Sequence, residues 1–302
     1  MEKIRTQLRV GYACVNTQLP SSARTLRLAN VTPERLRELI ASNLDALETI
    51  LRWNEAHGIA VFRLTSNLIP FGSHAANELA WWDEFAPRFA ELGRLMQGMS
   101  ISTHPGQYTV LSSVRPEVVD AAVAELAYHD RLLSAFRLDE SHKIVLHAGP
   151  PERFAAGFER LTPGAAARLV LENDERWPLE PVLELAGELG VPVVFDVFHH
   201  ELAPSFPGER TRDLVLRVSE TWSSRQEVHF STQAPGKRPG AHADALDVDA
   251  FRRFAAVVGD LPLDCVLEVK DKERSALRAQ ELLGYERGRR PSPTATDLRS
   301  RP

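Results

Sequence analysis

The chain lacks the features that mark secreted, membrane-spanning and dinucleotide-binding proteins. Its 302 residues include only two cysteines, Cys14 and Cys265, too few for a disulfide framework. The N-terminus carries no signal pattern, and no apolar run reaches the ~18 residues that can span a bilayer. No G-x-G-x-x-G turn follows the first apolar run. We therefore expect a cytoplasmic protein with buried thiols and without membrane contact.

A large excess of charge of one sign is also missing. The chain has 36 lysines and arginines against 41 aspartates and glutamates, a formal net charge of −5. This balance argues weakly against a nucleic-acid partner, because domains that bind nucleic acid usually carry a basic surface. Divalent cations bound in a cleft would reverse its local sign, however, so the net charge leaves the class of partner open.

What the chain does have is one pattern repeated along most of its length. Short apolar runs of strand type alternate with longer runs of helical spacing. The strand candidates are residues 8–13, 60–65, 99–103, 143–148, 168–173, 192–197, 227–231 and 265–270. Continuous apolar strands separated by helices indicate parallel strands buried on both faces. Eight such units favour a single (β/α)8 TIM barrel over residues 1–286, with an open doubly wound sheet as the alternative.

Local signals mark where helices begin and where the barrel domain ends. Thr32 followed by Pro33 predicts the start of a long helix, and Pro87 predicts a kink or break in a later one. The C-terminal stretch 287–302, "RGRRPSPTATDLRSRP", has few apolar residues to bury. We predict that it is a disordered tail.

Histidines and carboxylates follow the predicted strands from the second to the eighth. Loops after parallel strands share one face of a barrel, so these side chains should converge there. A single histidine at a strand end is more often a core residue than a ligand, but nine ionisable groups at one mouth need a compensating positive charge. Histidine with carboxylate is a ligand set for Zn²⁺ or Mn²⁺. The predicted ligands are His74, His104, His147, Glu172, Asp196, His199, His229, His242 and Glu268.

A multinuclear metal site suits displacement at phosphorus. Two or three divalent ions, roughly 3.5–4 Å apart, activate water and neutralise charge on the phosphoryl oxygens. Glu172, Asp196 and Glu268 are the expected bridging and catalytic groups, because one carboxylate can serve two ions. A metal-dependent sugar isomerase or epimerase, and a non-enzymatic metal-binding module, remain as alternatives.

Two loops carry residues suited to contact with nucleic acid. In "STHPGQY" (102–108), Gln107 and Tyr108 lie on a turn beyond His104, where an amide and an aromatic ring could act as a wedge between bases. In "QAPGKRPGAH" (233–242), Lys237 and Arg238 could contact phosphate. Solvent-exposed turns without a function would look the same.

Nine motifs together resemble the UV damage endonucleases. They are "VGYACVN", "LIPFGSH", "STHPGQYTVL", "VLHAG", "LVLEND", "FDVFHH", "VHFS", "KRPGAHAD" and "LEVKDKE", in the family's order from about residue 8 to residue 284. The resemblance implies a TIM barrel related in design to endonuclease IV. It implies incision immediately 5′ to pyrimidine dimers, (6-4) photoproducts and abasic sites in duplex DNA. It also implies up to three divalent ions, with Mn²⁺ favoured and Zn²⁺ or Mg²⁺ as alternatives. A plain abasic-site endonuclease is the nearest alternative enzyme.

The resemblance also assigns residues. It makes the histidines and carboxylates above metal ligands, and Gln107 and Tyr108 the pair that probes the strand opposite the lesion. It places Tyr12 and Asn16 at the lesion or the scissile phosphate, and Lys237 at the DNA backbone or the active site.

One position departs from the family. Relatives can carry a lysine two residues before His229, where this chain has Glu227. Residues 227 and 229 share a face of the strand, so we predict that Glu227 points to the cluster and can supply a carboxylate directly. We expect a monomer, because bent DNA must reach the barrel mouth.

Overall fold

Eight parallel strands close into a barrel in the computed structural model, which describes residues 6–285. Each strand pairs with the next, and β8 pairs with β1. This closure confirms the predicted (β/α)8 fold and excludes an open sheet. The strands are β1 (Arg9–Cys14), β2 (Val61–Leu64), β3 (Ser100–Thr103), β4 (Lys143–His147), β5 (Leu169–Glu172), β6 (Val193–Asp196), β7 (Gln226–Phe230) and β8 (Leu263–Leu267).

Helices alternate with the strands and cover the outside of the barrel. The first seven are α1 (Pro33–Ala56), α2 (Trp81–Glu84), α3 (Ala86–Leu95), α4 (Pro116–Ala135), α5 (Pro151–Phe158), α6 (Pro163–Arg168) and α7 (Leu179–Leu189). The next four are α8 (Val197–Leu202), α9 (Thr211–Ser219), α10 (Val248–Val258) and α11 (Glu273–Leu282). None of the described helices is long and apolar enough to cross a membrane.

The predicted helix signals act as expected. The Thr32 side chain accepts a hydrogen bond from the Arg35 backbone N–H, and Pro33 opens α1. The predicted break near Pro87 separates α2 from α3 at Phe85. Helix α8 was not predicted. It follows β6 without a loop and takes the Asp196 side chain as its N-cap.

The position of β8 differs from the sequence prediction. The strand ends at Leu267 rather than at residue 270, because the chain leaves the barrel there. The Glu268 N–H still donates to the Phe230 carbonyl of β7, but the Lys270 N–H donates to Ala243 in the loop after β7. Glu268 therefore stands just beyond the strand, at the rim. The predicted tail, 287–302, lies outside the described residues.

Candidate metal centre

The ends of neighbouring strands bring the predicted ligands together. His147 and Glu172 are register partners at the ends of β4 and β5, and Asp196 and His229 are partners on β6 and β7. His104 follows β3 directly. Because the strands are parallel and in register, these side chains meet at the carboxyl end of the barrel.

Two groups of side chains can each hold a cation. The first is His104, His147 and Glu172, and the second is Glu172, Asp196, His229 and Glu268; within each group the possible ligand atoms lie within 4.8 Å of one another. Glu172 belongs to both. Its Oε2 lies 2.8 Å from His104 Nε2, and its Oε1 lies 2.6 Å from His229 Nδ1. One carboxylate oxygen therefore faces each group, which is the geometry of a bridging ligand.

Asp196 has a buried carboxylate oxygen that is suited to bind a cation. Its Oδ1 accepts the backbone N–H of His199 at 2.7 Å and so begins α8. Its Oδ2 has no hydrogen-bond partner among the described residues, although the side chain is fully buried. Buried carboxylate oxygens are normally paired or bind metal. The orphaned oxygen lies 3.8 Å from His229 Nδ1, so it points into the second group and fits a cation there.

Hydrogen bonds outside the cluster orient the histidines. His104 Nδ1 lies 2.9 Å from the Pro105 carbonyl, and His242 Nδ1 lies 2.9 Å from the Glu268 carbonyl. The third ring, His229, has Nε2 between Glu227 Oε1 at 3.0 Å and Arg63 Nη2 at 2.5 Å, and its Nδ1 lies toward Glu172. An outer acceptor that takes one ring N–H leaves the second nitrogen for a cation, as in known metal sites.

His199 and His242 extend the cluster on its outer side. The His199 ring lies 5.9 Å from the His147 ring and 5.7 Å from the His242 ring, centroid to centroid. His242 Nδ1 is also 3.5 Å from Glu268 Oε2. These two histidines lie beside both groups without completing a third one.

The electrostatics of the cluster show that it needs positive charge. Burial, together with Glu172 and Glu268, raises the pKa of Asp196 to about 6. Burial acts to lower the pKa of His229, but the Glu172 carboxylate outweighs it and raises that pKa to about 10. Burial opposes ionisation of Glu172 as well, yet His229 and His147 hold its pKa well below the usual value. A proton on His229 balances carboxylates that a divalent ion would balance better.

Arg63 belongs to the cluster and was missed in the sequence. It lies on β2 with 6% of its side chain exposed. Its Nη1 lies 2.5 Å from Glu268 Oε1, and its Nη2 lies 2.5 Å from His229 Nε2. Burial acts to lower the pKa of Arg63, but Glu268 and Glu227 outweigh it and keep the side chain charged. The available signal was an arginine inside an otherwise apolar strand, "VFRL".

Glu227 points to the cluster, as its spacing from His229 predicts. Besides its contact with His229, its Oε1 accepts a hydrogen bond from Ser102 Oγ at 3.1 Å. It is not a member of either group of candidate ligands. The structure thus places Glu227 as a partner of His229, and direct coordination by Glu227 stays a prediction.

The carboxylates Asp174 and Glu175 were also missed. Asp174 Oδ2 lies 3.5 Å from His147 Nδ1, and Glu175 Oε1 lies 3.2 Å from His199 Nδ1. Both follow Glu172 within three residues. Their adjacency to a predicted ligand was the signal.

His74 is not brought into either group. It is exposed, its ring packs 5.9 Å from Phe71, and its Nδ1 accepts the Ala76 N–H at 3.0 Å. Nine residues, 65–73, separate the end of β2 from His74, so the end of the strand does not determine where His74 lies. Coordination by His74 stays a prediction.

The two predicted DNA-contacting tips are exposed. Gln107 and Tyr108 lie between β3 and α4. Lys237 and Arg238 lie at the tip of the loop after β7, which an antiparallel bridge between Gln233 and His242 closes into a hairpin. Contact with DNA at either tip stays a prediction.

Tyr12 and Asn16 are both buried in this structure, and their contact with the lesion or the scissile phosphate stays a prediction. Tyr12 is 0% exposed, and its hydroxyl donates to Asn54 Oδ1 of α1 at 2.7 Å. Asn16 is 2% exposed and donates to the Tyr12 hydroxyl at 3.3 Å. Alternation along β1 directs the Tyr12 ring outward into the layer beneath α1, against Trp53 and Phe62.

The sequence is similar to known UV-damage endonucleases. Residues 8–298 match the family model described as UV-endonuclease UvdE. A UV DNA damage endonuclease of Clostridium perfringens is 32% identical over 289 residues, covering 90% of this chain and 69% of that protein. A UV-damage endonuclease of Schizosaccharomyces pombe is 34% identical over 303 residues, covering 88% of this chain. The chain spans about half, 49%, of the length of that relative.

Solved structures agree with the fold. The crystal structure of SacUVDE is 37% identical in sequence, with a TM-score of 0.87 over 92% of this chain and 98% of that chain. Endonuclease IV from Thermus thermophilus is 16% identical, with a TM-score of 0.62 over 91% and 97% of the two chains. The second likeness concerns the fold alone, and it agrees with the predicted TIM barrel.

Proposed function

We propose, because this chain belongs to the UvdE family of UV endonucleases, that it hydrolyses damaged duplex DNA in a metal-dependent reaction. The bond cut is the phosphodiester immediately 5′ to the lesion, and the lesions are pyrimidine dimers, (6-4) photoproducts and abasic sites. The observation that carries this proposal is the Glu172 carboxylate, whose two oxygens face two separate groups of ligands.

The candidate ligands are divided between two divalent ions at this centre. His104, His147 and Glu172 would hold one divalent ion, and Glu172, Asp196, His229 and Glu268 would hold a second. His199 and His242 lie beside both. When bound, such ions lower the pKa of water and neutralise charge that develops on the phosphoryl oxygens. The mixture of carboxylate and imidazole suits Mn²⁺, with Zn²⁺ and Mg²⁺ as competing occupants.

The two exposed tips follow strands that lie on opposite sides of the barrel. The Gln107–Tyr108 tip follows β3 and the Lys237–Arg238 tip follows β7, four strands apart in a closed barrel of eight. A duplex lying across the mouth therefore reaches both. Lys237 and Arg238 bind phosphates, and Gln107 and Tyr108 fill the gap where damaged bases leave the stack. The chain acts as a monomer in this arrangement, because the mouth must stay open to bent duplex DNA.

A duplex oligonucleotide with one cyclobutane pyrimidine dimer tests the proposal. With Mn²⁺ we expect one cut, immediately 5′ to the dimer, and no cut in EDTA or in the undamaged duplex. A second duplex with one abasic site separates this function from that of a plain abasic-site endonuclease. Cutting of the abasic duplex alone would contradict the proposal. Cutting unaffected by EDTA would contradict metal dependence.

A further inference from the structure

One face of α4, formed by Glu125, Tyr128 and His129, lies beneath two loops of the barrel mouth. Residues 125, 128 and 129 share this face because they are three and four positions apart on a helix. All three are buried. We call them the α4 face. None of them belongs to either group of candidate metal ligands.

The first loop on the α4 face is the one that follows β2. The Tyr128 hydroxyl donates to the Ser66 carbonyl at 2.9 Å and accepts the Ile69 N–H at 3.3 Å. The Tyr128 ring also packs against Gly72, where an added Cβ would lie 2.2 Å from a ring carbon. The Ser73 hydroxyl donates to Glu125 Oε2 in a short hydrogen bond. The loop that leads to His74 is thus held to α4 from Ser66 to Ser73.

The second structure on the α4 face is the tip that follows β3. Tyr108 is 68% exposed, yet its hydroxyl lies 3.4 Å from Glu125 Oε1. The ring lies over Gly106, where an added Cβ would come within 2.3 Å of a ring carbon, so a larger residue there would displace the ring. The hydroxyl end of Tyr108 is therefore tethered to α4 while most of the ring stays in solvent.

His129 contacts Glu125 from the buried side of α4. Its Nε2 lies 3.3 Å from Glu125 Oε1, and the side chain is 0% exposed. Burial acts to raise the pKa of Glu125, but the contact with His129 and the hydrogen bonds from Ser73 and Tyr108 outweigh it. The pKa of Glu125 therefore lies below its usual value, and Glu125 presents two anionic oxygens, one toward each loop.

We propose that Glu125 is a positioning residue that couples the Tyr108 tip to the loop carrying His74. Its Oε1 fixes the orientation of the Tyr108 ring, and its Oε2 fixes Ser73. The ring that probes the DNA is thereby held ready before the duplex arrives, and less ordering is left to do on binding. This inference rests on the proposed function for the part that concerns DNA, and on the structure alone for the coupling.

The contact between Glu125 and Tyr108 can be measured without DNA or metal. The chain has four tyrosines. Tyr12 and Tyr128 are buried with raised pKa values, and burial raises the pKa of Tyr285 to about 12. The first phenol to ionise in an ultraviolet pH titration should therefore be Tyr108, and Tyr108→Phe should remove that step. Burial of its hydroxyl and the Glu125 charge raise the pKa of Tyr108. Glu125→Gln should shift the step toward ~10, the ordinary value for tyrosine.

The consequence for DNA is measured by a double-mutant cycle. An amide has one acceptor oxygen where a carboxylate has two, so Glu125→Gln leaves Ser73 or Tyr108 without its acceptor. We expect Tyr108→Phe and Glu125→Gln each to reduce the preference for damaged over undamaged duplex about fivefold, the effect of one ordinary hydrogen bond. The double variant should lose no more than either single variant, because both remove the same contact. Glu117→Gln, an exposed carboxylate on the same helix, is the matched control.

Each result decides between specific alternatives. An unchanged phenol titration in Glu125→Gln, or multiplied losses in the double variant, would overturn the coupling. If the native protein failed to cut damaged DNA, the proposed function would fall, and the titration would still decide whether Glu125 holds Tyr108. If Glu125→Gln did not fold, Tyr108→Phe and Ser73→Ala would remove the two contacts one at a time from the loop side. If both of these variants preferred damaged over undamaged duplex as strongly as the native protein does, the inference would also be overturned.

Discussion

The two ends of the barrel both bury charged side chains, but they balance the charge differently. At the amino end, Asp264 of β8 accepts hydrogen bonds from Arg9 Nε at 2.6 Å and from Arg225 Nε at 2.9 Å. Ser100 Oγ donates to the same carboxylate. One carboxylate is thus matched by two guanidinium groups. The amino end needs nothing from outside the chain.

The carboxyl end has the opposite composition. Glu172, Asp196, Glu227 and Glu268 expose at most 17% of their side chains there, and Arg63 contacts Glu268 and His229. Carboxylates outnumber guanidinium groups, and Asp196 Oδ2 has no hydrogen-bond partner in the described part of the chain. The comparison shows how the fold separates its tasks. One end is neutralised by the protein and stabilises the barrel, whereas the other keeps an excess of negative charge that cations can neutralise.

The largest effect is expected for Glu172→Gln, at the carboxyl end of the barrel. A neutral amide cannot offer an anionic oxygen to each of the two groups, so both cation sites are weakened together. We expect incision of a dimer-containing duplex to fall by at least ~10³-fold, since removing even a single electrostatic stabiliser commonly costs 10²–10³. Incision kinetics measure the loss, and circular dichroism checks that the fold is kept. Near-native activity in this variant would remove Glu172 from the centre of the mechanism.

The second change acts at the amino end. Asp264→Asn leaves Arg9 and Arg225 facing a neutral group, and we expect the free energy of unfolding to fall by about 3 kcal/mol, because breaking a buried ion pair is costly. Denaturant unfolding at neutral pH measures this loss. Incision per folded molecule should stay unchanged. Asp249→Asn, on an aspartate with 80% of its side chain exposed, is the control.

The stability of the native chain and of Asp264→Asn should also depend differently on pH. Burial acts to raise the pKa of Asp264, but Arg9 and Arg225 outweigh it, and the pKa in the folded protein is lowered. The stabilisation is therefore present above the ordinary aspartate value of ~3.9 and is lost as the pH falls through the lower value of the folded protein. The native chain and Asp264→Asn should thus converge in stability in acid. A difference that persisted at all pH values would show that charge is not its source.

The smallest expected effect is stabilisation by metal. Mn²⁺ at about a hundred times the dissociation constant of the tighter site should raise the free energy of unfolding of the native chain by ~2.7 kcal/mol through that site. Asp264→Asn should show the same increment from a lower starting point, whereas Glu172→Gln should lose most of it. Thermal unfolding with Mn²⁺ and with EDTA measures both. An undiminished increment in Glu172→Gln would place the ions elsewhere.

Sequence reasoning succeeded where a property is local to one strand and its end. The eight strands, the helix start at Thr32 and the break near Pro87 follow from spacing and from the chemistry of single residues. The convergence of His104, Glu172 and Asp196 follows as well, because parallel strands end on one side.

Sequence reasoning failed where the position of a side chain depends on partners elsewhere in the fold. The burial of Tyr12, whose hydroxyl donates to Asn54 of α1, was not predicted. Arg63 was overlooked, since its partners lie on β7 and beyond β8. His74 lies on a loop after β2 rather than at a strand end, so the rule for strand ends does not reach it.

By itself, the sequence determined the barrel and the end of the barrel at which its histidines and acids meet, because strand period, helix caps and the common direction of parallel strands are written in short segments. Packing in three dimensions sets four further features: Glu172 faces two groups, Asp196 Oδ2 has no partner among the described residues, Arg63 enters the cluster, and Glu125 contacts Tyr108. These are distances between side chains far apart along the chain, and the closure of the barrel and the packing of α4 against it determine them.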